Sequence, residues 1–136
     1  MKLFLDTNIL IDLAADRKPF SKWAFQIFRE SKAGRWTLYT SSSSILTTYY
    51  IIEKNIGTKK AKQTIKILLK RIEIIPIDKL QLQSALMTSF EDYEDGVQHE
   101  CAKALGDIDF IVTRNTKDFR TSIITIASPE ELCIPE

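Results

Sequence analysis

The sequence lacks the long apolar runs, cysteine framework and charge excess that mark several large classes of protein. No stretch approaches the roughly 18 consecutive apolar residues that a membrane span needs, and Asp6 and Asn8 interrupt the first apolar stretch too early for a signal peptide. Cys101 and Cys133 are too few and too far apart for a disulfide framework or a zinc knuckle. We therefore expect a cytoplasmic protein with reduced cysteines and no membrane partner.

Net charge is nearly absent as well. The formal value of +1 does not indicate nucleic acid or an acidic partner, so any anion binding has to come from a local patch. The apolar fraction of 44% and the charged fraction of 27% are typical of a globular protein. A chain of 136 residues is long enough for one well-buried core, and we expect a single domain over residues 1–136.

Short apolar runs alternate with amphipathic segments along the chain. The runs indicate strands at 3–5, 36–40, 72–77 and 107–113, with a further edge strand at 122–126. The segments between them have the apolar spacing of helices. Strands that alternate with helices favour an α/β fold, a three-layer α/β/α sandwich with a central, mainly parallel sheet.

Asp6 directly follows the first predicted strand. The apolar run behind it, from Ile9 to Leu13, predicts a helix for which Thr7 or Asn8 supplies the capping oxygen. Open α/β sheets bind ligands beyond the carboxyl ends of their strands. Because a carboxylate is costly to bury there without a partner, Asp6 is the first candidate for a functional side chain.

Further polar side chains are predicted at the same edge of the sheet. Carboxylates that share a cleft repel one another, which raises their pKa values or demands a cation. Oxygen ligands without clustered His or Cys suit Mg²⁺ or Mn²⁺ rather than zinc, and such an ion supports hydrolysis of phosphodiester bonds. These side chains are Arg114, Asn115 and Asp118 after the strand that ends at Thr113, and Asp92, Glu94 and Asp95 near a helix start.

Several of these candidates also have a structural explanation. Acids at a helix start complement the helix dipole, and Ser41, at the start of another helix, either receives a phosphate or only caps that helix. His99 stands four residues after Asp95 and within reach of the site, although a lone histidine is more often a packing residue. Asp107 and Asp109 lie at the opposite end of their strand, where we expect a turn and a surface acid.

Segment 6–12, Asp-Thr-Asn-Ile-Leu-Ile-Asp, resembles the opening motif of PIN-domain ribonucleases, the superfamily that includes VapC-like toxins. Segments 17–20, 92–98 and 111–119 are similar to one subgroup of that superfamily, in the same order along the chain. The resemblance spans nearly the whole chain. It implies a PIN-like fold and a metal-dependent endoribonuclease.

The resemblance implies roles for individual residues. Asp6 and Asp95 match metal-binding acids, and the fourth acidic position falls on Asn115, with Asp118 as the nearest carboxylate. We expect these four residues to be catalytic, with Mg²⁺ or Mn²⁺ as cofactor and RNA as substrate. The other predicted site residues are Asp92, Glu94 and His99 as secondary candidates, and Thr7, Asn8, Ser41, Thr113 and Arg114 on the substrate side.

The sequence departs from the family pattern at the second acid. Thr47 or Thr48 stands in that place, which makes the site less negative and favours one metal ion over two. The alternative function is therefore a weakly active or inactive PIN-fold module that binds RNA or protein. From the family alone we expect the toxin of a toxin–antitoxin pair, with an antitoxin protein as partner and a homodimer as a further assembly.

Overall fold

The computed structural model describes residues 1–133. Short loops join its strands and helices in a regular alternation, as the sequence pattern predicted. The strands are β1 (Lys2–Leu5), β2 (Thr37–Ser41), β3 (Ile72–Ile75), β4 (Phe110–Val112) and β5 (Ile126–Ala127). The helices are α1 (Thr7–Ala14), α2 (Ser21–Lys32), α3 (Ser42–Arg71), α4 (Lys79–Ala85), α5 (Tyr93–Leu105) and α6 (Pro129–Leu132), with a 3₁₀ helix at Thr116–Phe119.

The five strands form one parallel sheet in the order β3-β2-β1-β4-β5. Helices pack on both faces. Leu3 and Leu5 of β1 belong to a core with α1, α2 and α3, whereas Phe4 belongs to a second core with α4 and α5. Successive side chains of a strand point to opposite faces, which is why β1 is apolar at every one of these positions. The predicted α/β/α sandwich is confirmed.

The chain changes direction across the sheet at β1. From β1 it moves outward through β2 and β3, and it then crosses back so that β4 pairs with the other side of β1. The amide of Asp6 donates to the carbonyl of Val112 at 2.9 Å, so the carboxyl ends of β1 and β4 lie side by side. Such a switch point is where open α/β sheets form their ligand crevice.

Three local predictions are wrong in detail. Helix α1 is capped by Asp6 and not by Thr7 or Asn8, because the amide of Thr7 donates to Asp6 Oδ1 at 2.8 Å. The strand predicted at 107–113 begins only at Phe110, after a left-handed residue at Asp107 (φ 58°). The edge strand predicted at 122–126 is observed as Ile126–Ala127.

The long helix α3 is broken at Gly57, whose φ of 81° and ψ of 167° are not helical. That region of φ is open to glycine because it has no Cβ. Within residues 1–133, no helix is both long and apolar enough to cross a membrane.

Candidate active site

Asp6 is held at the switch point by three hydrogen bonds. The backbone amide of Thr7 donates to Oδ1. The Thr113 hydroxyl donates to Oδ2 at 2.7 Å, and the side-chain amide of Asn8 donates to the same oxygen at 3.3 Å. The residue is only 6% exposed. Burial raises the pKa of Asp6, the hydrogen bonds from Thr113 and Thr7 lower it, and the nearby charges of Asp92 and Asp118 raise it again.

Thr113 and Asn8 fix the orientation of this carboxylate. Thr113 is fully buried, and its hydroxyl also accepts the Asn115 amide at 3.0 Å and lies 3.4 Å from the Asn8 side-chain nitrogen. The side-chain oxygen of Asn8 accepts the backbone amide of Arg114 at 3.4 Å. The loop after β4 is thereby bonded directly to the loop after β1.

Arg114 is engaged by a residue to which the sequence assigned no role. Its Nε and Nη2 atoms contact the two carboxylate oxygens of Asp12, which is 1% exposed, at 2.7 and 3.1 Å. The guanidinium carbon also lies 4.0 Å from the centre of the Phe20 ring. Arg114 is therefore placed by α1 and by the segment before α2, and Asp12 could have been found from its place six residues after Asp6.

The start of α5 brings a second group of acids to the same edge. Asp92 caps the helix, since its side chain accepts the backbone amide of Asp95 at 3.0 Å. Asp92 therefore has the structural role that is common for an acid at a helix start. Burial raises the pKa of Asp95 to about 7, and the charges of Asp6, Asp92, Asp118 and Glu94 contribute in that order. Acids from three segments of the chain therefore share one region of negative potential.

The remaining acids lie at the rim of this region. Glu94 is exposed, and burial followed by the charges of Asp92 and Asp6 raises its pKa. Asn115 and Asp118 are exposed on the turn after β4, where the Asp118 amide donates to the Asn115 carbonyl at 3.0 Å. Asp118 is thus the carboxylate that this turn contributes.

Comparison with known proteins gives the family. The profile described as PIN domain matches residues 2–117, which include Asp6, Asp92, Glu94 and Asp95. The chain belongs to the PIN domain family. It is 34% identical to Ribonuclease VapC1 of Aquifex aeolicus (strain VF5) over 137 residues, which covers 97% of this chain and 93% of that protein.

Solved structures of VapC-containing and other toxin–antitoxin complexes have the same fold as this PIN domain. DNA-bound VapBC from Salmonella typhimurium has a TM-score of 0.71 and 21% identity, and it covers 95% of this chain and 98% of its own. A toxin–antitoxin complex from Klebsiella pneumoniae has a TM-score of 0.69 and 24% identity, covering 93% and 97%. The likeness to VapC-like PIN domains inferred from the motifs is confirmed.

The two residues predicted to stand at the second acidic position, Thr47 and Thr48, lie on α3. Thr48 is fully buried, and its hydroxyl donates to the Ser44 carbonyl at 2.7 Å, so it is used within the helix. Thr47 is partly exposed. The hydroxyls of Ser44 and Thr7 are 2.7 Å apart, which joins this part of α3 to α1.

A chain of hydroxyls and one amide connects α5 to α1. Gln98 donates to the Ser43 hydroxyl at 3.3 Å, Ser43 contacts Ser41 at 3.2 Å, and Ser41 contacts Ser44 at 3.1 Å. Gln98 is fully buried, and among residues 1–133 its Oε1 atom has no hydrogen-bond partner. Its position three residues after Asp95 places it on the same side of the helix, a signal that the sequence contained.

Two predicted site residues, Ser41 and His99, have contacts that favour a structural role for their side chains. Ser41 is fully buried and caps α3 by accepting the Ser44 amide at 3.3 Å. His99 bonds to Glu100 through Nδ1 at 2.9 Å and accepts the Ile123 amide through Nε2 at 3.3 Å. Both ring nitrogens are thus hydrogen-bonded, Nδ1 within α5 and Nε2 to the segment before β5.

The donor set of this PIN domain suits a hard cation. In the described part of the chain, no group of three or more Asp, Glu, His or Cys side chains is arranged to hold a metal ion. Mg²⁺, however, usually keeps several waters and is held by one or two carboxylates together with substrate phosphate. Asp6 and Asp95, with uncompensated charge and oxygen donors only, fit that smaller requirement.

Proposed function

We propose that this PIN domain is an endoribonuclease that depends on Mg²⁺ or Mn²⁺, and that residues 1–136 act as one domain. The observation that carries the proposal is the coupling of Asp6 and Asp95, since burial and then the charge of Asp6 raise the pKa of Asp95. A cation bound by these acids would relieve that repulsion. RNA as the substrate is supported by the relative from Aquifex aeolicus, which is named a ribonuclease.

The site residues of the chain would have different roles in the proposed reaction. A bound Mg²⁺ or Mn²⁺ would activate water and offset negative charge on the phosphate. Asp6 presents its carboxylate in one orientation because Thr113 and Thr7 hold both of its oxygens. Asp6 and Asp95 would hold the ion, and Asp95 would do so in its deprotonated form. Arg114, fixed by Asp12, offers a rigid positive charge to the RNA backbone next to these acids.

An RNA-cleavage assay with and without EDTA tests the proposal. Wild-type protein is compared with Asp6→Asn and Asp95→Asn, and we expect cleavage by the wild type only, and only when Mg²⁺ or Mn²⁺ is present. Asp107→Asn is the matched control, because Asp107 lies at the other end of the sheet and asparagine tolerates its positive φ. Cleavage that persists in EDTA, or in Asp6→Asn, would contradict the proposal.

A role as the toxin of a toxin–antitoxin pair extends the same proposal. It is supported by the VapC1 relative and by the fold shared with toxin–antitoxin complexes. The partner would then cover the acidic edge, and a basic side chain is the chemistry that suits it. Expression of the protein alone should slow growth, and Asp6→Ala should restore it; unimpaired growth with the active wild type would speak against the toxin role.

The alternative is a PIN module that binds RNA or protein with little or no turnover. It is favoured by one observation, the threonines at the place of the second acid, where Thr48 is committed to a bond within α3. In that case Asp6→Asn and Asp95→Asn would leave both RNA affinity and the effect on growth unchanged.

A further inference from the structure

A pocket of about 200 Å³ lies beside the acidic edge and is not part of it. Arg114 links the two, because it lines the pocket and its backbone amide bonds to Asn8, which in turn bonds to Asp6. The other side of the pocket is formed by the start of α2 and the start of α6. Its lining residues are Phe20, Trp23, Arg114, Ser128, Pro129 and Glu130.

Each of the two aromatic rings that line this pocket contacts a positively charged side chain. The Arg114 guanidinium stacks on Phe20 at 4.0 Å, and the Lys22 ammonium lies 4.3 Å from the centre of the Trp23 ring. Phe20 is 37% exposed although a residue of its size normally gains from full burial. Aromatic faces combined with cations are the surface on which proteins stack single-stranded nucleic acid bases.

The polar groups of the pocket suit the edge of a base. The Nε and Nη2 atoms of Arg114 donate hydrogen bonds to Asp12. Among residues 1–133 the Nη1 atom has no hydrogen-bond partner, so it is available to donate to a ligand. The exposed Glu130 carboxylate, likewise without a hydrogen bond or ion pair in the described chain, can accept from a ring N–H or an amino group. Arg114 and Glu130 thus both line the same small, partly apolar space.

We propose that this pocket is a base-binding subsite, which takes the unstacked nucleobase of the nucleotide next to the cleaved phosphodiester. The inference rests on the proposed function, since it requires single-stranded RNA at the acidic edge. Arg114 serves both parts of the site: its position beside Asp6 suits the phosphate, and its face on Phe20 closes the pocket. Lys22 adds a second positive charge near the RNA backbone.

Binding is measured without cleavage by fluorescence. The chain has two tryptophans, so Trp36→Phe leaves Trp23 as the reporter, and Asp6→Asn is added to prevent turnover. Single-stranded RNA should quench Trp23, whereas an RNA of the same length with abasic sugars should bind more weakly and leave the emission unchanged. Equal affinity for the two RNAs without quenching overturns the proposal.

Two substitutions, one in the segment before α2 and one in α2, test whether RNA affinity depends on the pocket. Phe20→Leu should weaken RNA binding roughly 5- to 100-fold, the range expected for one stacked base. Phe25→Leu is the matched control, because Phe25 is 42% exposed on the same helix and does not line the pocket. Equal losses for the two variants overturn the subsite, as does a Phe20→Leu protein that loses a purified protein partner but keeps its RNA affinity.

The outcome separates this inference from the proposed function. Base-dependent quenching in a protein that cleaves no RNA would support the base-binding subsite and contradict the proposed nuclease activity. If the protein cleaves RNA but its RNA affinity depends neither on the base nor on Phe20, the nuclease activity is supported and the base-binding subsite is contradicted.

Discussion

Asp6 combines three roles that usually fall to different residues. It ends β1, it caps α1, and it presents a buried carboxylate to the acidic edge. Each of its oxygens accepts a hydrogen bond, Oδ1 from the Thr7 amide and Oδ2 from the Thr113 hydroxyl. These bonds lower the pKa of Asp6 and offset part of the rise that burial causes, and they hold the carboxylate in a fixed orientation.

Thr113 should matter to the site although it touches no solvent. Replacing it with valine removes the donor to Asp6 Oδ2, so we expect cation affinity and RNA cleavage to fall roughly 10- to 100-fold, as for other groups that orient a metal ligand. Thr113→Ser keeps the hydroxyl and is the matched control. Titration with Mn²⁺ and the cleavage rate measure the effect, and a valine variant as active as the serine variant would disprove the orienting role.

At the scale of elements, the start of α3 contributes hydroxyl groups and no acid where it meets α1 and α5. This part of the helix is fastened to α1 through Ser44 and Thr7 and to α5 through Ser43 and Gln98, so neutral hydroxyls and an amide stand next to the carboxylates. Neutral groups add no ligand charge. The elements are therefore held together where a further acid would have repelled Asp6 and Asp95.

Placing an acid on α3 should distinguish the two threonines predicted to stand at the second acidic position, Thr47 and Thr48. Thr47→Glu, at the partly exposed position, should tighten Mn²⁺ binding roughly tenfold through the added charge. Thr48→Glu should instead destabilise the fold, because it places a carboxylate where the side chain is fully buried. Metal titration and thermal unfolding of both variants test this, and the reverse ranking would show that Thr48 occupies the acid position.

At the scale of the whole molecule, the sheet order concentrates negative charge at one edge. Asp95 shows the consequence most clearly, since burial and the charges of Asp6, Asp92, Asp118 and Glu94 raise its pKa from 3.8 to about 7. The folded protein therefore binds a proton at pH values at which the unfolded chain has lost it. The free energy of unfolding of the metal-free protein is lowered by this group as the pH rises.

This linkage gives a dependence of stability on pH. In EDTA the stabilising contribution of protonated Asp95 is complete below a pH of 3.8 and is lost as the pH rises through about 7, so Tm should fall over that window. Added Mg²⁺ should raise Tm more at about pH 8 than at about pH 5, because protons compete with the cation.

Asp95→Asn provides the control for the pH series. The variant has no proton to lose at this position, so its Tm in EDTA should change less between about pH 5 and about pH 8. A wild-type Tm that rises steadily over the same interval, or an equal slope in the variant, would rule out Asp95 as the titrating group.

The sequence by itself determined the alternation of strands and helices and the position of Asp6 at a strand end. Apolar periodicity is a local property, and the return of parallel strands to one edge follows from it, so the grouping of Asp6, Asp95 and Asp118 could be predicted. Capping could not be assigned as reliably: Asp6 and not Thr7 caps α1, because the choice depends on where the strand turns.

Only the tertiary structure decided which side chains are paired across that edge. The bonds of Asp12 to Arg114, of Thr113 to Asp6 and of Gln98 to Ser43 join residues 102, 107 and 55 positions apart. No periodicity encodes such pairs, since they follow from the order of strands in the sheet and the way the helices pack on it. For the same reason Trp23 and Phe20 became part of a pocket beside Arg114 only when α2 and α6 were placed together.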